Sequence, residues 1–143
     1  MALTNHSQLG RVDTSAVQQL GISDANDLQE LYRMSYPGNW FEPRMLKTGY
    51  YYGVRQGGTL VSVAGVHLYS QRYKVAALGN ITTHPQFRGQ GLAAAVCTKL
   101  CQALLPTVDH VGLNVKADNT EAIGCYTKLG FAPVATYEEY LLL

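Results

Sequence analysis

The residues best suited to chemistry lie in one run, Ile81-Thr-Thr-His-Pro-Gln-Phe-Arg-Gly-Gln-Gly-Leu-Ala93. A β-branched stretch enters a loop with two glycines two apart, and an apolar helical pattern starts at once. Glycine lets a loop backbone come close to a ligand. The first N–H groups of a helix have no partner within it. With the positive end of the helix dipole they make an anion site. Arg88 adds a fixed positive charge. A phosphate or pyrophosphate is the natural occupant.

Several nucleotide readings compete. Gly89-Gln90-Gly91-Leu92-Ala93-Ala94 fits G-x-G-x-x-A. Asp109 follows at the distance of about 20 residues that a dinucleotide fingerprint requires. The strand pattern before the loop is a hairpin, however, and too few residues follow for the usual six-stranded parallel sheet. A P-loop is weaker still, because no Gly-Lys-Ser/Thr follows. On this segment alone, a plain turn that starts an ordinary helix stays open.

A second constellation stands downstream, Asn119-x-x-Ala122-x-x-x-Tyr126-x-x-x-Gly130-Phe131. It resembles the N-x-x-A-x-x-x-Y-x-x-x-G-F element of the GNAT superfamily of N-acetyltransferases. Gln86-x-Arg88-Gly89-x-Gly91-x-Ala93 is likewise similar to that superfamily's Q/R-x-x-G-x-G/A loop, in the right order and separation. The resemblance implies acetyl-CoA as co-substrate and no metal. It also implies that the strand before the loop parts from the next parallel strand, leaving a gap for pantetheine. Main-chain groups of Ile81, Thr82 and Thr83 would bind pantetheine, and an N–H near Asn80 or Ile81 would serve the oxyanion. The N–H groups of Arg88, Gly89, Gly91 and Leu92 would hold the pyrophosphate, with Gln86, Gln90 and Ala93 completing the loop. Asn114 and Asn119 would touch the cofactor from the far side.

Acyl transfer to an amine needs a neutral amine, donors for the oxyanion and a proton for the departing thiolate. Tyr126 is the expected general acid, since a phenol of pKa about 10 keeps its proton at neutral pH. The alternative is a packing tyrosine on an amphipathic helix. No general base stands on the preceding strand, which reads Val75-Ala-Ala-Leu-Gly-Asn-Ile-Thr-Thr. His84 precedes Pro85 and is expected to shape the loop. His67 sits in an apolar strand, where a structural role competes with a place in the pocket. Glu42 would bind an ammonium or relay a proton through water. A water chain without a dedicated base is the default.

Half of the chain's aromatics fall between Tyr32 and Tyr52. In the family this region walls the acceptor site, so Tyr36, Trp40, Phe41, Glu42, Tyr52 and His67 are the expected substrate contacts. Such a wall suits an amine with an apolar or aromatic body, either a small molecule or a peptide. A strand packed on both faces plus a dimer contact would explain the same residues. Few acidic residues lie nearby, which disfavours a polybasic tail or polyamine. From a different class, a catalytically silent acyl-CoA-binding or sensing module would keep the fold and the loop.

Positioning these groups falls to a chain of 143 residues with formal charge +1, 47% hydrophobic and 15% charged. That is one domain with a sizeable core and no field to hold nucleic acid or an anionic membrane. Residues 1–13 are polar and unpatterned and read as a flexible arm, with a single domain over 14–143. Expected strands lie at 16–20, 50–55, 59–69, 75–83, 111–115, 131–134 and 137–142. Expected helices lie at 26–36, 91–105 and 119–129, with a short one between 40 and 47. The order gives an α/β fold, mixed and α+β-like: a central mixed sheet of six to seven strands with helices on both faces. By the resemblance, the sheet is splayed between its fourth and fifth strands. Cys97, Cys101 and Cys125 are an odd count with no signal-peptide pattern, which points to plain thiols in a cytoplasmic protein. No stretch reaches the roughly 20 apolar residues of a membrane helix. The apolar end at 140–143 leaves room for a homodimer.

Overall fold

The computed structural model describes residues 1–135. Seven strands form one mixed sheet: β1 Ala2–Leu3, β2 Val17–Gln19, β3 Tyr51–Gln56, β4 Thr59–Ser70, β5 Val75–Thr83, β6 His110–Leu113 and β7 Phe131–Ala132. Helices α1 Ala25–Ser35, α2 Leu92–Leu104 and α3 Thr120–Leu129 complete the fold. The sheet order is β2-β3-β4-β5-β6-β1-β7, and β5 with β6 is its parallel pair. The mixed α/β architecture is the expected one. The strand expected at 137–142 and the apolar end at 140–143 lie outside the described residues.

Alternation of side chains along the strands divides the core in two. Leu28, Leu31 and Tyr32 of α1 pack with Leu46, Tyr51, Leu60 and Val63 on one face. On the other, α2 offers Val96, Leu100 and Leu104 to Tyr52, Val54, Val61, Ala64, Val66 and Leu78. Arg55 pairs with Asp24 at 2.7 Å and docks the start of α1 on β3. The Asp24 carboxyl is held below its usual range, first by the Gly21 N–H it accepts and then by Arg55. Cys97 and Cys101 are buried in α2, and burial pushes the Cys101 thiol up to about 12. Such thiols pack as small hydrophobes.

Residues 1–13 are not a loose arm. Leu3 and Leu9 are buried, and β1 is inserted between β6 and β7, antiparallel to both. The Met1 carbonyl accepts from Leu113 N–H at 2.9 Å, and Thr4 and Asn5 donate to the Gly130 carbonyl at 3.0 and 3.2 Å. A two-residue strand carries no readable period, so the polar composition around it dominated the sequence pattern. Unpaired backbone groups of β6 and β7 supply the drive, because buried N–H and C=O groups must find partners.

Gly130 makes the latch possible. Its φ is +108°, and a Cβ there would overlap the Asn5 carbonyl. Gly130→Ala is therefore expected to cost about 2–4 kcal/mol, from left-handed strain plus overpacking. Urea unfolding reads the loss, and limited proteolysis should cut first within residues 1–13.

Candidate functional site

The β5–β6 ladder runs Val75↔His110, Ala76↔Val111, Ala77↔Gly112 and Leu78↔Leu113, and there it stops. From Gly79 to Thr83, β5 is paired as a strand with β4 alone. The splay falls between the two strands expected to part, which the inserted N-terminal strand renumbers as fifth and sixth. Its consequence is a row of β5 backbone groups facing a gap. The side chains beside them are otherwise engaged: Thr82 Oγ1 donates to Ser35 Oγ at 2.9 Å, and Thr83 Oγ1 bonds Ser62 Oγ at 2.9 Å. Opposite β4 the register shifts, so that Gly79 to Thr82 spans one residue more than Gly65 to Val63. This bulge includes Asn80, with φ +52°. A bulge leaves a residue out of the ladder and re-aims its backbone groups.

After β5 the chain makes one tight turn at Pro85–Phe87, with His84 Nδ1 accepting the Gln86 N–H at 3.1 Å. His84 thus shapes the loop, as expected. Arg88 Nε donates to the Thr83 carbonyl at 3.2 Å, and Gln56 Nε2 to Gln90 Oε1 at 3.3 Å, which set the loop's path. Gly89 and Gly91 have φ of +79° and +77°, and a Cβ on either would meet nothing within 4 Å. Leu92 opens α2 with Gly91 as its N-cap, and Ala93 lies in the first turn. Among the described residues, no protein acceptor is bonded to the N–H groups of Arg88, Gly89, Gln90, Gly91 or Leu92. Open space, donors without a protein acceptor and a helix start coincide there, the features an anion site requires.

A groove of about 560 Å³ adjoins the cradle. Gly91 and Ala94 line one side, Gly124 and Lys128 of α3 another, and Gln8 and Arg11 close it from the N-terminal segment. Nothing in the sequence marks Arg11, because the polar pattern of residues 1–13 reads as an arm. Asn119 caps α3, its Oδ1 accepting the Ala122 N–H at 3.2 Å, and Asn114 is exposed just past β6. Tyr126 is buried in α3, with its ring edge-on to Phe131 at 6.1 Å. Burial pushes its hydroxyl well above the ordinary phenol range, and the fields of Cys97, Cys125 and Tyr36 add to it. Tyr36 is the exposed C-cap of α1.

The aromatic wall is only partly as expected. Trp40 is 61% exposed and stands edge-on to His67 at 6.3 Å. His67 sits at a second irregularity of β4 and packs on Gly79, where a Cβ would lie 2.5 Å from its own. Phe41 is wedged between Tyr32 and Tyr51, at 5.2 and 5.6 Å. Glu42 pairs with Arg44 at 2.6 Å. Tyr52 is a correction: it is buried in the α2-side core, on the face away from Phe41. The period of two sends Tyr51 toward the wall instead, where its hydroxyl accepts from Asn80 Nδ2 at 3.1 Å.

Among the described residues no three His, Cys, Asp or Glu side chains are grouped to hold a metal, and no helix is long and apolar enough to cross a membrane. The chain is 30% identical over 95 residues to the N-alpha-acetyltransferase RimI of Mycobacterium tuberculosis, a match covering 64% of this chain and 57% of that protein. A Bacillus subtilis (strain 168) protein, provisionally named a ribosomal protein bS18-alanine N-acetyltransferase, is 24% identical over 88% of this chain and 86% of its own length. A GNAT-family structure from Novosphingobium aromaticivorans superimposes with TM-score 0.73 at 29% identity, over 85% of this chain and 53% of that one. Residues 21–131, from the entry to α1 through the first residue of β7, match the sequence profile of the acetyltransferase (GNAT) family, and the chain belongs to that family.

Proposed function

We propose that this chain transfers an acetyl group from acetyl-CoA to a primary amine. The observation that carries the reading is that a strand edge freed beyond Leu78 leads directly into an anion cradle of free amides. Acetyl-CoA would supply the acetyl thioester. The backbone of Ile81, Thr82 and Thr83 would bind its pantetheine arm, and the amides of Arg88, Gly89, Gly91 and Leu92 its pyrophosphate. The bulge leaves Asn80 and Ile81 out of the ladder to β4, and a backbone N–H there would serve the developing oxyanion. Tyr126 holds a proton for the departing sulfur. No β5 side chain ionises, so the acceptor amine loses its proton to water.

The relatives' names favour a peptide α-amine as acceptor, and the exposed Trp40 beside His67 supplies an apolar surface for its first side chains. Glu42, paired with Arg44, recognises the acceptor only if that pair opens. The absence of an ionisable β5 side chain also favours a silent acyl-CoA-binding module, so binding and turnover are tested separately. Thermal shifts with acetyl-CoA, CoA and NAD come first. Ligand at about 100 times its Kd stabilises a fold by roughly 2.7 kcal/mol. A rise with both CoA species and none with NAD supports the cradle, and no rise with either removes it. Thiol release with a panel of peptides and small amines then separates enzyme from silent module.

Arg11 is expected to act at the far end of the groove as a cation for the co-substrate's phosphates. Arg11→Gln should raise the acetyl-CoA Kd about two- to fivefold, the range of an exposed ion contact. The effect should fade at high salt. Titration calorimetry at two ionic strengths checks both.

A further inference from the structure

Neither sequence motif contains Asn80, yet it is the most connected polar residue near the gap. It holds φ +52° inside a strand, a left-handed conformation that asparagine tolerates better than most side chains. Its Nδ2 donates to the Trp40 carbonyl at 3.0 Å and to the Tyr51 hydroxyl at 3.1 Å. Its Oδ1 accepts from Asn39 Nδ2 at 3.2 Å, and its backbone carbonyl accepts from the Tyr32 hydroxyl at 2.7 Å. A carbonyl only accepts, so the Trp40 contact fixes which end of the carboxamide is nitrogen. One residue therefore ties α1, the segment carrying Asn39 and Trp40, and β3 to the bulge, two positions past the last β5–β6 pair.

We propose that Asn80 is a positioning residue that couples the Asn39–Phe41 wall to the β5 bulge. The wall that would seat the acceptor and the backbone amides facing the gap are then held as one unit. The kinetic part of this inference rests on the acetyltransferase reading. The optical part does not, because Trp40 is the chain's single tryptophan and reports on the wall directly.

Two variants test it. Asn80→Gly keeps the left-handed backbone accessible and removes the carboxamide. Asn80→Asp keeps the size but sets a carboxylate oxygen against the Trp40 carbonyl. In both, Trp40 emission is expected to move to longer wavelength and iodide quenching to increase, while the acetyl-CoA Kd stays within about threefold of wild type. Acceptor KM should rise on the order of tenfold, a larger factor than the fall in kcat. Wild-type emission and quenching in both folded variants would overturn the coupling, and so would an unchanged acceptor KM. If the wild-type protein acetylates no amine, the acetyltransferase reading fails, and Trp40 still decides the coupling.

Discussion

Tyr126→Phe is expected to lower kcat by about two to three orders of magnitude, the usual contribution of a positioned general acid. The acetyl-CoA Kd should stay within about twofold of wild type, since only an oxygen is lost and the ring keeps its edge contact with Phe131. Burial strengthens the case by favouring the neutral phenol, so the proton remains in place throughout the neutral range. The sign for pH follows. A hydroxyl pKa raised above its ordinary value of about 10 puts the loss of this acid above pH 10. The wild-type rate should therefore rise with pH as the acceptor amine deprotonates, with no descending limb below about pH 10. Steady-state kinetics from pH 6 to about 10, with calorimetry for affinity, checks both parts. A variant with unchanged kcat and a lowered Tm would make Tyr126 a packing residue.

Elements with a strong period and clear punctuation are legible in the sequence. The Gly57-Gly58 turn between β-branched runs placed β3 and β4, the i+4 row from Leu92 to Leu104 placed α2, and Asn119 proved to be the cap of α3. Gly89 and Gly91 of the first motif and Gly130 of the second stand at left-handed backbone positions, a demand that only a few residue types satisfy. Failure came where tertiary pairing outweighs local pattern. Nothing in residues 1–13 shows that Leu3 and Leu9 complete a core, since their partners on β6 and α3 are distant in sequence. Tyr50, Tyr51 and Tyr52 are identical in type, and only the register against β4 decides which reaches the wall. Asn80 is a strand residue, as expected, but the bulge it sits in leaves no signature in the sequence when no glycine marks it.

Gly91→Ala should raise the acetyl-CoA Kd about ten- to a hundredfold. A methyl at this position enters space that no protein atom occupies, so the folded chain has no overlap to relieve. The backbone still pays for φ +77°, roughly 1–2 kcal/mol, which is a Tm loss of several degrees in a domain of this size. That strain alone does not separate a ligand cradle from an ordinary turn. Gly58→Ala does, because it carries the same strain at φ +82° in the β3–β4 hairpin, again with nothing near the added methyl. Both variants should lose comparable Tm, and only Gly91→Ala should lose affinity in calorimetric titrations with acetyl-CoA. Equal Tm losses with unchanged affinity would reduce the loop to a turn. A helix start with free amides would then be insufficient to hold a nucleotide here, and the freed edge of β5 would need another occupant.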